Sequence, residues 1–172
     1  LLASASHTTQ VSVTSNFGIL HLSDPDAFLA ESYRVLKPGG RLAFSAWAPP
    51  PATEGFDLIL GAVNAAGNPN VPLPAGPPFF RYADPATVRR ALAKAGFVDV
   101  DVTTVDWMEW HVDSADELYE IFLEGTARTR ELLRGQTETE AEAVREELRR
   151  RFRERRGALR MPAVVSSGQK PL

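Results

Sequence analysis

The stretch Val11–Trp47, VSVTSNFGILHLSDPDAFLAESYRVLKPGGRLAFSAW, constrains the fold more than any other part of the chain. Val11, Val13 and the apolar residues around Phe17 suit a buried strand, which Ser15, Asn16 and Gly18 then interrupt. Asp24 is placed to cap a helix, with Pro25 at the first helical position, where a missing N–H costs nothing. Phe28, Leu29, Ser32, Val35 and Leu36 recur at helical spacing and predict one inward face. Lys37 falls in the predicted last turn, and Pro38-Gly39-Gly40 stops the helix. Leu42, Ala43, Phe44, Ala46 and Trp47 form a second apolar run without polar alternation, as in a strand covered on both faces. Two such strands joined through a helix predict a right-handed βαβ unit, and so an α/β fold.

The rest of the chain extends this pattern. Gly55–Ala66 predicts a short helix with Phe56, Ile59, Leu60 and Val63 inward. Gly67–Pro78, GNPNVPLPAGPP, is too rich in Pro and Gly for regular structure and predicts a long loop of the kind that often serves binding. Asp84-Pro85 repeats the cap signal and opens a helix with Val88, Ala91, Leu92 and Ala95 inward. Phe97–Trp110 alternates apolar and polar residues, as one half-buried strand near a sheet edge would. Ser114 and Glu117 form a capping box before a helix carrying Leu118, Ile121, Phe122, Leu132 and Leu133. A charged helix over Thr137–Arg156 has a thin apolar stripe of Ala141, Val144, Leu148 and Phe152. Its interleaved Glu and Arg suit a solvated face better than a partner-binding one. Ala163–Val165 is the expected last strand.

At 172 residues and 44% hydrophobic content the chain suits one domain with a core. A net charge of −3 gives no reason to expect nucleic acid or an anionic membrane as partner. There are no cysteines, which excludes disulfides and cysteine-held zinc and fits a cytoplasmic location. No apolar run approaches the roughly 20 residues of a membrane span. No cluster has metal-ligand spacing, so no metal is expected. Residues 1–10, LLASASHTTQ, are small and polar and are expected to be a disordered N-terminal stretch.

Tyr33-Arg34-Val35-Leu36-Lys37-Pro38-Gly39-Gly40-Arg41-Leu42, within SNFGILHLSDPDAFLAESYRVLKPGGRLAFSAWAPP, resembles the second half of a class I methyltransferase dependent on S-adenosyl-L-methionine (SAM), of the methyltransferase-type-11 kind. The resemblance continues more loosely through GFDLILGAV and PFFRYADPATVRRALAKAGFVDV to the C-terminus. It implies a partial Rossmann-like sheet, strands four to seven, over 11–172, with flanking helices and an added C-terminal helical pair in a cap at about 112–157. It implies a last strand inserted antiparallel between strands five and six. The family's glycine-rich loop after strand one and its ribose-binding acid have no counterpart here: no G-x-G-x-G follows a strand in this sequence. The resemblance therefore implies a C-terminal fragment that is inactive alone, transferring a methyl group from SAM to a small-molecule acceptor only in a complete domain. The alternative is a non-enzymatic remnant or binding module that keeps the half-sheet without a cofactor site. An N-terminal half supplied separately, or self-association through an open strand edge, is the expected partnership.

Ligands of open α/β sheets bind outside the carboxyl ends of strands. By the resemblance, Ser15, Asn16 and Phe17 lie beside the methionine end of SAM. The alternative is a strand terminus with polar caps. His21 follows in the same loop; its ordinary pKa near about 6.5 suits a general base, although a lone His is more often a structural residue. Phe79, Phe80 and Arg81 follow the Pro/Gly loop and with His21 make a candidate acceptor pocket, since aromatic walls with few polar groups suit apolar small molecules. Trp47 reads as ordinary core packing, and Tyr82 is a further aromatic residue near a loop end. His7 and His111 have no partners in any recognisable motif. The missing catalytic signature does not weigh against methyl transfer, whose chemistry resides in the cofactor.

Overall fold

The structure, a computed structural model, describes residues 10–155 and 158–172. The expectation for 1–9 lies outside the described residues, but Gln10 opens the first strand and is not part of a frayed end. The elements are β1 (Gln10–Ser15), α1 (Pro25–Val35), β2 (Leu36–Trp47), α2 (Glu54–Ala66), α3 (Pro85–Lys94), β3 (Val98–Val105), β4 (Glu109–Trp110), α4 (Ala115–Gly125), α5 (Ala127–Arg134), α6 (Glu138–Arg153), β5 (Leu159–Arg160) and β6 (Ala163–Gln169). Short 3-10 turns cover Ile19–His21 and Arg81–Ala83. Among the described residues no helix is long and apolar enough to cross a membrane.

The chain divides into two compact units, each stitched from separated segments. One comprises the chain up to Trp47, Gly76–Val105 and Ala163–Leu172; the other comprises Ala48–Ala75 and Asp106–Pro162.

The first unit holds a four-stranded mixed sheet in the order β1-β2-β6-β3. β1 runs parallel to β2, with Val13 opposite Leu42 and Ser15 opposite Phe44. β6 lies antiparallel between β2 and β3, pairing Phe44 with Ser166 on one side and Val102 with Ser166 on the other. The βαβ unit forms for the reasons its sequence carries. Asp24 Oδ1 accepts the Ala27 N–H at 2.9 Å and Pro25 opens α1. Leu29 and Ser32 are buried, while Phe28 and Val35 are half-buried. α1 ends two residues earlier than the sequence predicts: Leu36 and Lys37 already belong to β2. The proline cannot extend the helix, and Gly39 at φ 77° lets the strand absorb an irregularity between the Gln10–Leu36 and Ser12–Arg41 pairs. Lys170 Nζ closes the helix end instead, donating to the carbonyls of Tyr33 and Leu36 at 2.8 and 2.7 Å. Asp84 caps α3 through the N–H groups of Ala86 and Thr87. Leu29, Leu36, Leu42, Phe44, Val88, Leu92 and Phe97 are all buried in this unit's core.

The second unit is helical, with α2 packed on α6 and α4 on α5. Phe56 meets Phe122 edge-on at 4.8 Å, and Val144, Leu148 and Met161 are fully buried. Three expectations change here. Leu58 is buried in α2 while Leu60 is half-buried. The helix from Ser114 breaks at Gly125-Thr126 into α4 and α5, where Thr126 Oγ1 donates to the Phe122 carbonyl at 2.7 Å. The alternating run 97–110 is not one strand: β3 ends at Val105, Trp107 is exposed, and β4 pairs separately with β5. The last strand is longer than predicted, reaching Gln169 because its polar second half still pairs on both sides.

Candidate functional site

β1 and β2 run parallel, so their carboxyl ends lie at one end of the sheet. The backbone beyond β1 turns sharply at Asn16-Phe17-Gly18. Phe17 has φ 51°, in the left-handed region that bulky residues rarely enter. Its N–H donates to Ser45 Oγ at 2.9 Å, and Ser45 Oγ donates to Asn16 Oδ1 at 2.7 Å. The Phe17 ring stacks on Trp47, with centroids 3.8 Å apart and planes 15° from parallel. Asn16 is exposed, Phe17 half-buried and Ser45 buried. Ser15 is turned toward Gly18, where an added Cβ would lie 2.8 Å from its Oγ.

These contacts join two segments about thirty residues apart into one polar and aromatic cluster. Ser15, Asn16 and Phe17 come together as neighbours on one turn, as their sequence order requires. Ser45 was not visible as a site residue from the sequence. The available signal was a hydroxyl inside the otherwise apolar run Leu42–Trp47, since a buried polar side chain must find a partner.

A second cluster lies four residues on. The Ile19–His21 turn buries Ile19 and Leu20 and leaves His21 exposed. The His21 ring is 5.8 Å from Phe79, and Phe79 meets Phe80 edge-on at 5.0 Å. Arg81 Nη2 donates to Asp26 Oδ1 at 3.2 Å, and Lys94 Nζ donates to Asp26 Oδ2 at 3.1 Å. The structure thus brings His21, Phe79, Phe80 and Arg81 to the loops beside α1. Although the residue is exposed, desolvation of its ring lowers the pKa of His21, which favours the neutral imidazole. Among the described residues no carboxylate or carbonyl orients that imidazole, as an activating partner in a catalytic pair would. The hydrogen bond from Lys94, with the positive charges of Arg81 and Lys94, holds the Asp26 carboxyl below the usual carboxylate range. Arg81 also lies 5.3 Å over the ring of Tyr82. Tyr82 is buried, its hydroxyl has no hydrogen-bond partner among the described residues, and burial raises its pKa.

A shallow groove of about 300 Å3 runs beside Asp24, Asp26, Leu29, Ala91, Lys94 and Ala95. It lies against α1 and α3, and none of Ser15, Asn16, Phe17 or His21 lines it. Among the described residues no three His, Asp or Glu side chains gather as metal ligands.

Residues 9–44 match the model of a family described as a methyltransferase domain. Over 159 residues the chain is 31% identical to methyltransferase ktnA of Aspergillus niger; the match takes in 86% of this chain and 51% of that protein. The chain therefore spans about half the length of the curated relative it matches. A solved structure from Bacillus halodurans C-125, described as a candidate methyltransferase, superposes with a TM-score of 0.50 at 16% identity, over 98% of this chain and 73% of that one. That likeness concerns the fold: an α/β chain with a mixed sheet and flanking helices.

Proposed function

We propose that this chain is the C-terminal part of a SAM-dependent methyltransferase that acts on a small-molecule acceptor. The observation that carries the reading is the methyltransferase-domain match over residues 9–44. It coincides with β1, α1 and most of β2, and so with the turn that bears Asn16 and Phe17. The sheet order supports it: an antiparallel β6 between β2 and β3 is the arrangement the family resemblance implies for its last strand. In that reading β1, β2, β3 and β6 correspond to strands four to seven.

The residues at the end of β1 fit one side of the cofactor. Asn16 supplies amide donors beside the stacked rings of Phe17 and Trp47, a donor set suited to a ligand with an apolar body and polar edges. When bound, SAM supplies an activated methyl group. The chain's own contribution is to bind and orient at the strand ends, and to exclude water with the aromatic side chains of Phe17, Trp47, Phe79 and Phe80. His21, neutral near pH 7, is the candidate to accept a proton from an acceptor held against Phe79. Arg81 and Lys94, engaged with Asp26, fix the loop that carries these aromatic residues.

The test compares the 172-residue chain with the same chain joined to whatever the coding sequence immediately upstream of Leu1 specifies. Calorimetric titration with SAM should give micromolar affinity for the joined protein, and far weaker binding for the chain alone. An upstream sequence without a glycine-rich turn, combined with no SAM binding by either protein, would overturn the reading. That result would favour a binding module that retains the half-sheet without a cofactor site.

A further inference from the structure

A bulky residue in the left-handed region is strained and persists only where its surroundings over-determine it; such residues gather where geometry serves function. Phe17 is such a residue. One side chain accounts for its being held. Ser45 Oγ accepts the Phe17 N–H and spends its single O–H on Asn16 Oδ1. Ser45 is buried on β2, whereas Asn16 is exposed at the end of β1. A hydroxyl has one proton to give, so this arrangement is fully specified. With its oxygen held by Ser45, the Asn16 amide keeps both of its N–H donors for a ligand. With its backbone locked, Phe17 keeps its ring flat on Trp47.

We infer that Ser45 is a positioning residue of this site. It converts Asn16 into an outward-facing pair of donors and fixes Phe17 beside it, so the ligand group that meets the end of β1 carries a hydrogen-bond acceptor next to a flat or apolar part. This rests on the reading of the chain as part of a SAM site, and it specifies which chemistry of the ligand this half handles: an acceptor such as a carboxylate, a carbonyl or a ring nitrogen. A Ser45 that merely braced the strand would need only the bond from Phe17. The second bond, to a side chain that is otherwise free to turn in solvent, fixes a direction.

The experiment titrates S-adenosylhomocysteine, into the millimolar range, against the 15N-labelled 172-residue chain and its variants S45A, S45T and N16D. It follows the side-chain amide of Asn16 and the backbone amide of Phe17. In the unaltered chain both resonances should move saturably. S45A should remove the Asn16 response and weaken binding by about tenfold, the worth of one directed hydrogen bond. S45T, which keeps the hydroxyl, should stay within about threefold on the same scale. N16D replaces both donors with an anionic acceptor and should abolish binding. Because Asn16 is exposed, N16D decides the question even if S45A fails to fold. Binding at unaltered affinity by N16D, or by folded S45A with the Asn16 response intact, overturns the inference and leaves the SAM reading standing. No saturable shift anywhere in residues 10–47 of the unaltered chain overturns the inference, while the SAM reading is decided separately by the titration of the joined protein.

Discussion

A hydroxyl buried without a partner and one buried with two partners should respond oppositely to deletion. Tyr82 is almost wholly buried and its OH meets no acceptor or donor among the described residues. An unpaired buried hydroxyl destabilises, so Tyr82→Phe should be neutral or raise stability by up to about 1 kcal/mol, measured by denaturant unfolding. A loss greater than about 1 kcal/mol would mean that the hydroxyl is bonded through an internal water. Ser45→Ala should go the other way, costing about 1–3 kcal/mol, because it strands the Phe17 N–H at a strained position. The two caps Asp24 and Asp84 were legible in the sequence, because each acts on N–H groups two or three residues away. The Asn16–Ser45 bond was not, since its partners stand 29 residues apart and only the sheet register brings them together. Ser15, Asn16 and Phe17 could be selected as a strand terminus, but what makes them a structured turn lies on the neighbouring strand.

Helix α6 shows what periodicity can and cannot reveal about an element. Its stripe predicted Val144 and Leu148 inward, and both are fully buried; Phe152 is only half-buried. Leu148→Ala should therefore cost about 2–5 kcal/mol. Glu146, whose side chain is 63% exposed, should lose under about 0.5 kcal/mol on substitution with Ala. Glu147 differs from its neighbour. Its side chain is 16% exposed, and hydrogen bonds from Arg150 and then Arg151 pull its pKa down from 4.5 to about 2. A carboxylate with a depressed pKa stabilises the fold fully above its unfolded value, and that contribution drains away as pH falls toward the folded one. Glu147→Gln should thus lower the denaturant midpoint near neutral pH, and the difference from the unaltered chain should shrink as pH falls below about 4.5. A difference independent of pH would assign the effect to packing. Two element boundaries escaped the sequence. Alternation alone ran β3 and β4 together, because strand period carries no mark of which partner is paired. The α4–α5 break rests on Thr126, whose hydroxyl bonds back to the preceding turn as Ser and Thr do in many helical contexts.

At the scale of the molecule, the two edges of the sheet are unlike. β3 presents Asp99 at φ 48°, a register break between Val98 and Asp101, and the acids Asp99 and Asp101, all of which discourage a further strand. β1, QVSVTS, carries no charge and no proline, and Val11 is 62% exposed. Among the described residues no strand pairs with its outer side. We therefore expect the chain to self-associate through β1, with Val11→Lys restoring a monomer in sedimentation experiments. A wild-type chain that sediments as a monomer at all concentrations would remove the expectation. The βαβ core was legible because it is contiguous in sequence. The division into two units was not, because each is assembled from segments that the other interrupts.

The position of β6 has a consequence for how the chain is made. Among the described residues β3 pairs only with β6, and β6 spans Ala163–Gln169. A nascent chain can close β1 against β2 early, yet β3 must wait, unpaired, through the synthesis of nearly sixty further residues from Val105 to Ala163. During that interval the growing polypeptide leaves the edges of β2 and β3 without the strand that separates them. The sheet is completed at its centre by a strand made late, so its yield in the cell should depend on what shelters that gap on the ribosome, and a stop codon placed just before Ala163 should yield aggregates, not a smaller soluble protein.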